Sequence, residues 1–162
     1  MRTLLHLILL LTAVSFAQVN YGTPPEGLIP KALEGIPQAL EVMHFPKVNH
    51  PVKIDERYYW KHATGVMSNQ APAKIIEYGA YLYYNDQWNL RKKYPLKELK
   101  KSFGIKDQAL LQGHPYVWTD NWRTDDRLFG GWAMWYFIAE TEDGQRVCGF
   151  ATIHTTDQLL NP

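Results

Sequence analysis

The chain has 162 residues, 17 Lys and Arg against 16 Asp and Glu, a formal net charge of +1, and 14% aromatic side chains. That length holds one ordinary domain able to bury about two thirds of its unfolded surface, so no disulfide framework is required. The near-neutral charge gives no electrostatic footprint for nucleic acid or an anionic membrane surface as partners.

Residues Met1 to Ala17 read as a secretory signal peptide: Arg2 forms a basic n-region, an apolar run covers Leu4 to Leu11, and Ser15-Phe16-Ala17 supplies a small-residue cleavage site. The run is shorter than the ~20 residues a spanning helix needs. The expected product is an exported protein, periplasmic or secreted, cleaved near Ala17. Cleavage removes Arg2 and leaves 145 residues with 16 basic and 16 acidic side chains. Cys148 is the only cysteine, so no disulfide forms within the chain; its neighbours Val147, Gly149 and Phe150 make it a small apolar core residue of a strand. A leader without cysteine pairs points to a bacterial exported protein, and the lack of a cysteine at the cleavage site argues against lipid attachment there.

Residues 18–53 carry Pro24, Pro25, Pro30, Pro37, Pro46 and Pro51, a density that opposes long helices and sheet pairing. They read as a Pro-rich N-terminal arm. One short helix is expected at Pro37 to His44, with Pro37 at its first position and Leu40 and Met43 facing inward.

Residues 54–162 read as a single antiparallel-sheet domain. Arg57 to Met67 is the first expected strand, Ser68 to Pro72 a turn, and Lys74 to Tyr84 a long second strand. Asn85-Asp86 marks a tight turn into Trp88 to Tyr94, which sets Tyr83 opposite Trp88 and Tyr81 opposite Leu90. Pro95 to Phe103 is the main helix, with Leu96, Leu99 and Phe103 on one face, Lys97, Lys100 and Lys101 on the other, and Gly104 as its stop. Gln108 to Trp118 is a fourth strand weakened by Pro115. Gly131 to Glu140 and Arg146 to Thr155 flank an Asp143-Gly144 turn. With those two as the loop, Ala139 faces Cys148, Phe137 faces Phe150, Trp135 faces Thr152 and Ala133 faces His154. Both faces of this hairpin are apolar, so it must be covered on both sides, by the helix, the arm or the curl of the sheet. The fold class is therefore α+β: a strongly curved antiparallel sheet of about six strands with one main helix, β-β-β-α-β-β-β, or a partly open barrel, preceded by the arm.

The densest mixture of aromatic and polar groups is Tyr116 to Trp132, around the loop from Thr119 to Gly130. Trp118, Asp120, Asn121, Trp122, Arg123, Asp125, Arg127 and Trp132 form the candidate ligand-binding set. Indole faces beside carboxylate, amide and guanidinium groups suit a saccharide or another amphipathic small molecule. The competing reading is that Trp118, Trp122 and Phe129 cap the core while Asp125 and Asp126 pair with Arg123 or Arg127.

No metal or cofactor is expected. The loop's aspartates lack EF-hand spacing, and His44, His50, His62, His114 and His154 lack local zinc spacing, which leaves only a site assembled from distant strands. Cys148 and His154 lie six strand residues apart, on the order of 20 Å, and cannot act as a dyad. A carboxylate pair could be drawn from Asp120 with Asp125 or Glu77, but the spacing along the chain does not specify one. The reading is an exported, non-catalytic small-ligand-binding domain; a cell-envelope interaction module working through the arm or a sheet edge is the alternative, and a hydrolase or isomerase with dispersed acid and base groups the third.

Overall fold

Period-two alternation of apolar residues dominates the chain, and the fold follows from it. The computed structural model describes residues 19–160; the signal-peptide reading of Met1 to Ala17 lies outside them. It is mostly strand, with one short helix and a sheet curled into a half-barrel. The strands are β1 (Leu40–Phe45), β2 (Val48–Asn49), β3 (Val52–Ile54), β4 (Arg57–Trp60), β5 (Ala63–Ser68), β6 (Ala73–Tyr84) and β7 (Gln87–Lys93). A 3-10 turn (Leu96–Glu98) then runs into helix α1 (Leu99–Phe103), followed by β8 (Ala109–Leu110), β9 (Tyr116–Trp118), β10 (Arg123–Asp125), β11 (Gly131–Thr141) and β12 (Arg146–Thr155). The main sheet runs β2-β12-β11-β6-β7, with β8 also on β6; β1-β5-β9 and β10-β4-β3 form two smaller sheets. Among the described residues, no helix is long and apolar enough to cross a membrane.

The β6–β7 turn is built as its residues dictate. Asn85 and Asp86 both take positive φ, 52° and 58°, the geometry of a two-residue turn whose twist matches the strands. Tyr83 therefore pairs with Trp88, and Tyr81 with Leu90. The helix also ends as expected: Gly104 adopts φ 75° and its N–H donates to the Lys100 carbonyl at 3.1 Å.

The β11–β12 hairpin is present, one residue out of the expected register. Cys148 faces Ile138, Phe150 faces Tyr136, Thr152 faces Met134 and His154 faces Trp132. The cause is the turn, whose loop has a third residue. The Thr141 N–H donates to the Gln145 carbonyl at 3.0 Å, the Gly144 N–H to the Thr141 carbonyl at 2.9 Å, and Gly144 closes the loop at φ 81°. An Asp-Gly pair also supports this three-residue form, with the glycine in the left-handed position that closes it.

Both faces of the hairpin are covered. Trp135, Phe137, Ala139 and Val147 pack with Leu99 and Phe103 on the inner face. Met134, Tyr136, Ile138 and Cys148 pack on the other face with Leu33, flanked by Ile29 and Ile36. Those three residues belong to the Pro-rich segment, so this part of the arm forms a wall of the core.

The segment expected as a helix over Pro37 to His44 is extended. The Cys148 N–H donates to the Pro37 carbonyl at 2.8 Å, the Ala39 N–H to the Cys148 carbonyl at 3.0 Å, and β1 then pairs along β5. Leu40 and His44 are buried while Glu41, Met43 and Phe45 are exposed, a strand's alternation that puts Leu40 and Met43 on opposite faces. Among the described residues, the only helical turn in the arm is Lys31–Leu33. β1 crosses so close to β12 that a Cβ at position 149 would run into the Leu40 carbonyl, which requires Gly149. Two other expected strands divide. Arg57 to Met67 breaks at Lys61-His62, and β4 and β5 join different sheets; Gln108 to Trp118 breaks around Gly113, at φ 68°, and Pro115, leaving β8 and β9 apart.

Because Leu33 is 1% exposed beneath the convex face, Leu33→Ala should destabilise the protein by about 2–4 kcal/mol. Exposed Lys31→Ala should stay within about 0.5 kcal/mol of the parent in urea unfolding. Equal, negligible effects would mean that the arm is only a spacer.

Candidate functional site

Curl and side-chain size together open a cavity at one end of the inner face. Across β6 and β11, Trp135 pairs with Ala80 and Ala133 with Leu82, while Ala133 also faces Ile153 of β12. Alanines set among bulky neighbours leave a hollow, which the β4–β5 link and the segment from Asn121 to Thr124 close over. The resulting pocket measures about 190 Å³. Its walls combine Trp118, Trp135, Leu82 and Ile153 with the polar groups of His62, Asn121 and Arg123, and Arg91 stands at its edge. Larger hollows of 530, 570 and 600 Å³ lie around the β11–β12 turn and beside Trp132 and His154, more open to solvent.

A chain of hydrogen bonds fixes the lid. Asn121 Nδ2 donates to Thr64 Oγ1 at 2.7 Å, and Thr64 Oγ1 is 3.1 Å from His44 Nδ1. His44 Nε2 lies 3.1 Å from the Ala151 carbonyl, which can only accept, so Nε2 carries the proton. Nδ1 is then the acceptor and the Thr64 hydroxyl donates to it, so every link has one donor and one acceptor. Burial, opposed by the Ala151 hydrogen bond, lowers the His44 pKa to about 4, and the neutral imidazole this chain needs persists at neutral pH.

His62 and Arg123 are less well satisfied. His62 is 7% exposed; its Nδ1 lies 3.3 Å from the Trp60 carbonyl, and its Nε2 is buried without a partner. Burial, with Arg123 nearby, pulls its pKa down. The Arg123 guanidinium lies 3.7 Å from the Phe129 ring centroid and 5.8 Å from that of Trp60, and its Nε is also buried and unpartnered. Burial lowers its pKa to about 10, which leaves it charged at neutral pH. Among the described residues it makes no ion pair.

The eight residues expected to bind ligand divide in two. Trp118, Asn121, Trp122 and Arg123 meet at the pocket. Trp118 is as much core as site, its ring 5.7 Å from those of both Phe103 and Trp135. Trp122 is 44% exposed, with Lys61 Nζ 4.7 Å from its ring, and does not cap the core. Asp120, Asp125, Arg127 and Trp132 lie outside the pocket. Asp125 accepts the Arg127 N–H at 3.1 Å, and Trp132 stacks on His154 at 4.6 Å on the opposite sheet face. Glu77, drawn as one carboxylate of a pair, instead accepts bonds from Tyr136 at 2.9 Å and Lys93 at 2.7 Å. His62 and Arg91 join the site without having been anticipated there. The legible clue was the small-residue alternation at Ala80 and Ala133, which marks where the inner face is hollow.

The chain matches no protein-family model and no curated protein. Among solved structures it is similar to the X-ray structure of the structural genomics target SoR45, at TM-score 0.44 and 8% identity over 79% of this chain and 95% of that one. It is also similar to a proposed ApaA protein from Bordetella pertussis, at TM-score 0.40 and 10% identity over 74% of this chain and 96% of that one.

The depressed His44 pKa makes stability depend on pH. Below about 6.5 the unfolded chain takes up a proton that folded His44 refuses, so stability falls between 6.5 and about 4, by on the order of 3 kcal/mol if this group acts alone. Urea midpoints measured across that window should fall with pH, and should fall less steeply in His44→Gln.

Proposed function

We propose that the protein is an exported, non-catalytic domain that binds one small amphipathic molecule in the pocket under the Asn121 lid. The observation that carries this reading is the meeting of apolar and aromatic walls, Trp118, Trp135, Leu82 and Ile153, with the polar side chains of His62, Asn121 and Arg123 around one enclosed hollow. Apolar walls with a few convergent polar groups are the make-up of a small-molecule site. We further read the curled sheet as the wall of a partly open barrel whose unfilled end is the pocket. Export rests on the Met1 to Ala17 leader.

Of the two chemistries suggested by the loop, an amphipathic molecule fits better than an extended saccharide. An apolar cavity of ~150 Å³ accommodates benzene, so a hollow of about 190 Å³ holds one ring and a small polar head. The exposed Trp122 ring, the surface best suited to stacking on sugar, is already faced by Lys61.

Intrinsic tryptophan fluorescence, titrated with single-ring amphipathic molecules, should change saturably because Trp118 and Trp135 wall the cavity. Ala133→Leu, which fills it, should remove the response while retaining the folded circular-dichroism spectrum. Saturable binding that survives the filled cavity would move the ligand elsewhere.

A further inference from the structure

We propose that the ligand is a small monocarboxylic acid whose carboxylate pairs with the Arg123 guanidinium and whose single ring, or similarly compact apolar body, lies against Trp118 and Trp135. This inference rests on the reading of the pocket as the binding site and adds the chemistry of its occupant.

Arg123 is the reason. A partly buried guanidinium without a counter-ion is short of a partner, and proteins ordinarily supply a carboxylate. Here the ring faces of Phe129 and Trp60 are what meet it. Asp125, on the same short strand, is near enough to favour the charged guanidinium but makes no ion pair with it, and one of its oxygens accepts the Arg127 N–H. Among the described residues the pocket walls carry no Asp or Glu, whereas Arg91 adds a second positive charge and Lys61 stands over Trp122. The missing partner of this site is therefore negative.

Size and geometry narrow the anion. A flat carboxylate matches the planar fork of donors on arginine and can take two parallel hydrogen bonds. The ~190 Å³ available is filled by one ring plus a head group of that size.

The test compares benzoate, phenylacetate and cyclohexanecarboxylate with their neutral primary amides, by calorimetric or fluorescence titration of the unaltered protein at pH 7.5. Carboxylates should bind about tenfold or more tightly than the matching amides, the range expected for a charge-assisted pair in a partly buried site. In Arg123→Gln the preference should collapse to near unity, with the amides losing little. Amides binding as tightly as carboxylates would overturn the carboxylate assignment while leaving the pocket as the binding site. Silence from every compound, with the protein shown to be folded, would overturn both. The comparison on the unaltered protein decides the matter even if Arg123→Gln does not fold.

Discussion

The constraint on which this fold depends is a central hairpin that is apolar on both faces. β11 and β12 carry Trp135, Phe137, Ala139 and Val147 on one side and Met134, Tyr136, Ile138 and Cys148 on the other. A sheet with one wet face would leave one of these rows in water, at about 1.5–3 kcal/mol for each large side chain. The chain must therefore supply two covers from sequence on either side of the hairpin's partner strand. The helix after β7 provides one; the proline-bearing segment before β1 provides the other. Gly149, which lets β1 pass closely over β12, joins the covers to the sheet at the one point where a side chain would hold them apart.

The pocket follows from incomplete covering. Phe103 reaches Trp118 and Phe137 and fills the inner face near the helix, but beyond Trp135 the wall is made of Ala133 and Ala80, and among the described residues no helix extends over it. The cover there is a turn of irregular chain tied down by Asn121, Thr64 and His44. On the proposed function, a hydrogen-bonded polar lid over an apolar floor gives an amphipathic occupant one orientation. Preorganisation of this kind reduces the ordering cost that binding otherwise carries.

Local chemistry made much of this readable in advance. Asn85-Asp86, Gly104 and the long alternations of β6, β11 and β12 specify their own geometry, because turn dihedrals and side-chain parity are properties of a few adjacent residues. The two-sided cover was also legible, since it follows from parity alone. What could not be read was anything that turns on a choice between nearly equal local options. Asp143-Gly144 accepts two loop lengths, and the longer one slides the whole hairpin register by one. Leu40 and Met43, three residues apart, match one helical face over a short run, and the pairing with β5 and Cys148 overrode that match and set them on opposite faces of a strand. The site divided along the same line: Trp118, Asn121, Trp122 and Arg123 fall within one short stretch of chain and were found, whereas His62 comes from the β4–β5 link and Arg91 from β7, both far from that stretch along the chain, and only the curl brings them in.

Cys148 gives the arm a property beyond packing. Its Sγ lies 3.5 Å from the Ile36 carbonyl, buried beneath the segment that covers the convex face, and burial pushes the thiol pKa up. A lone thiol resists oxidation by being both protonated and out of reach. The cover that completes the core thus also acts as a chemical shield, and the rate at which a thiol reagent penetrates it measures how often the arm lifts from the sheet.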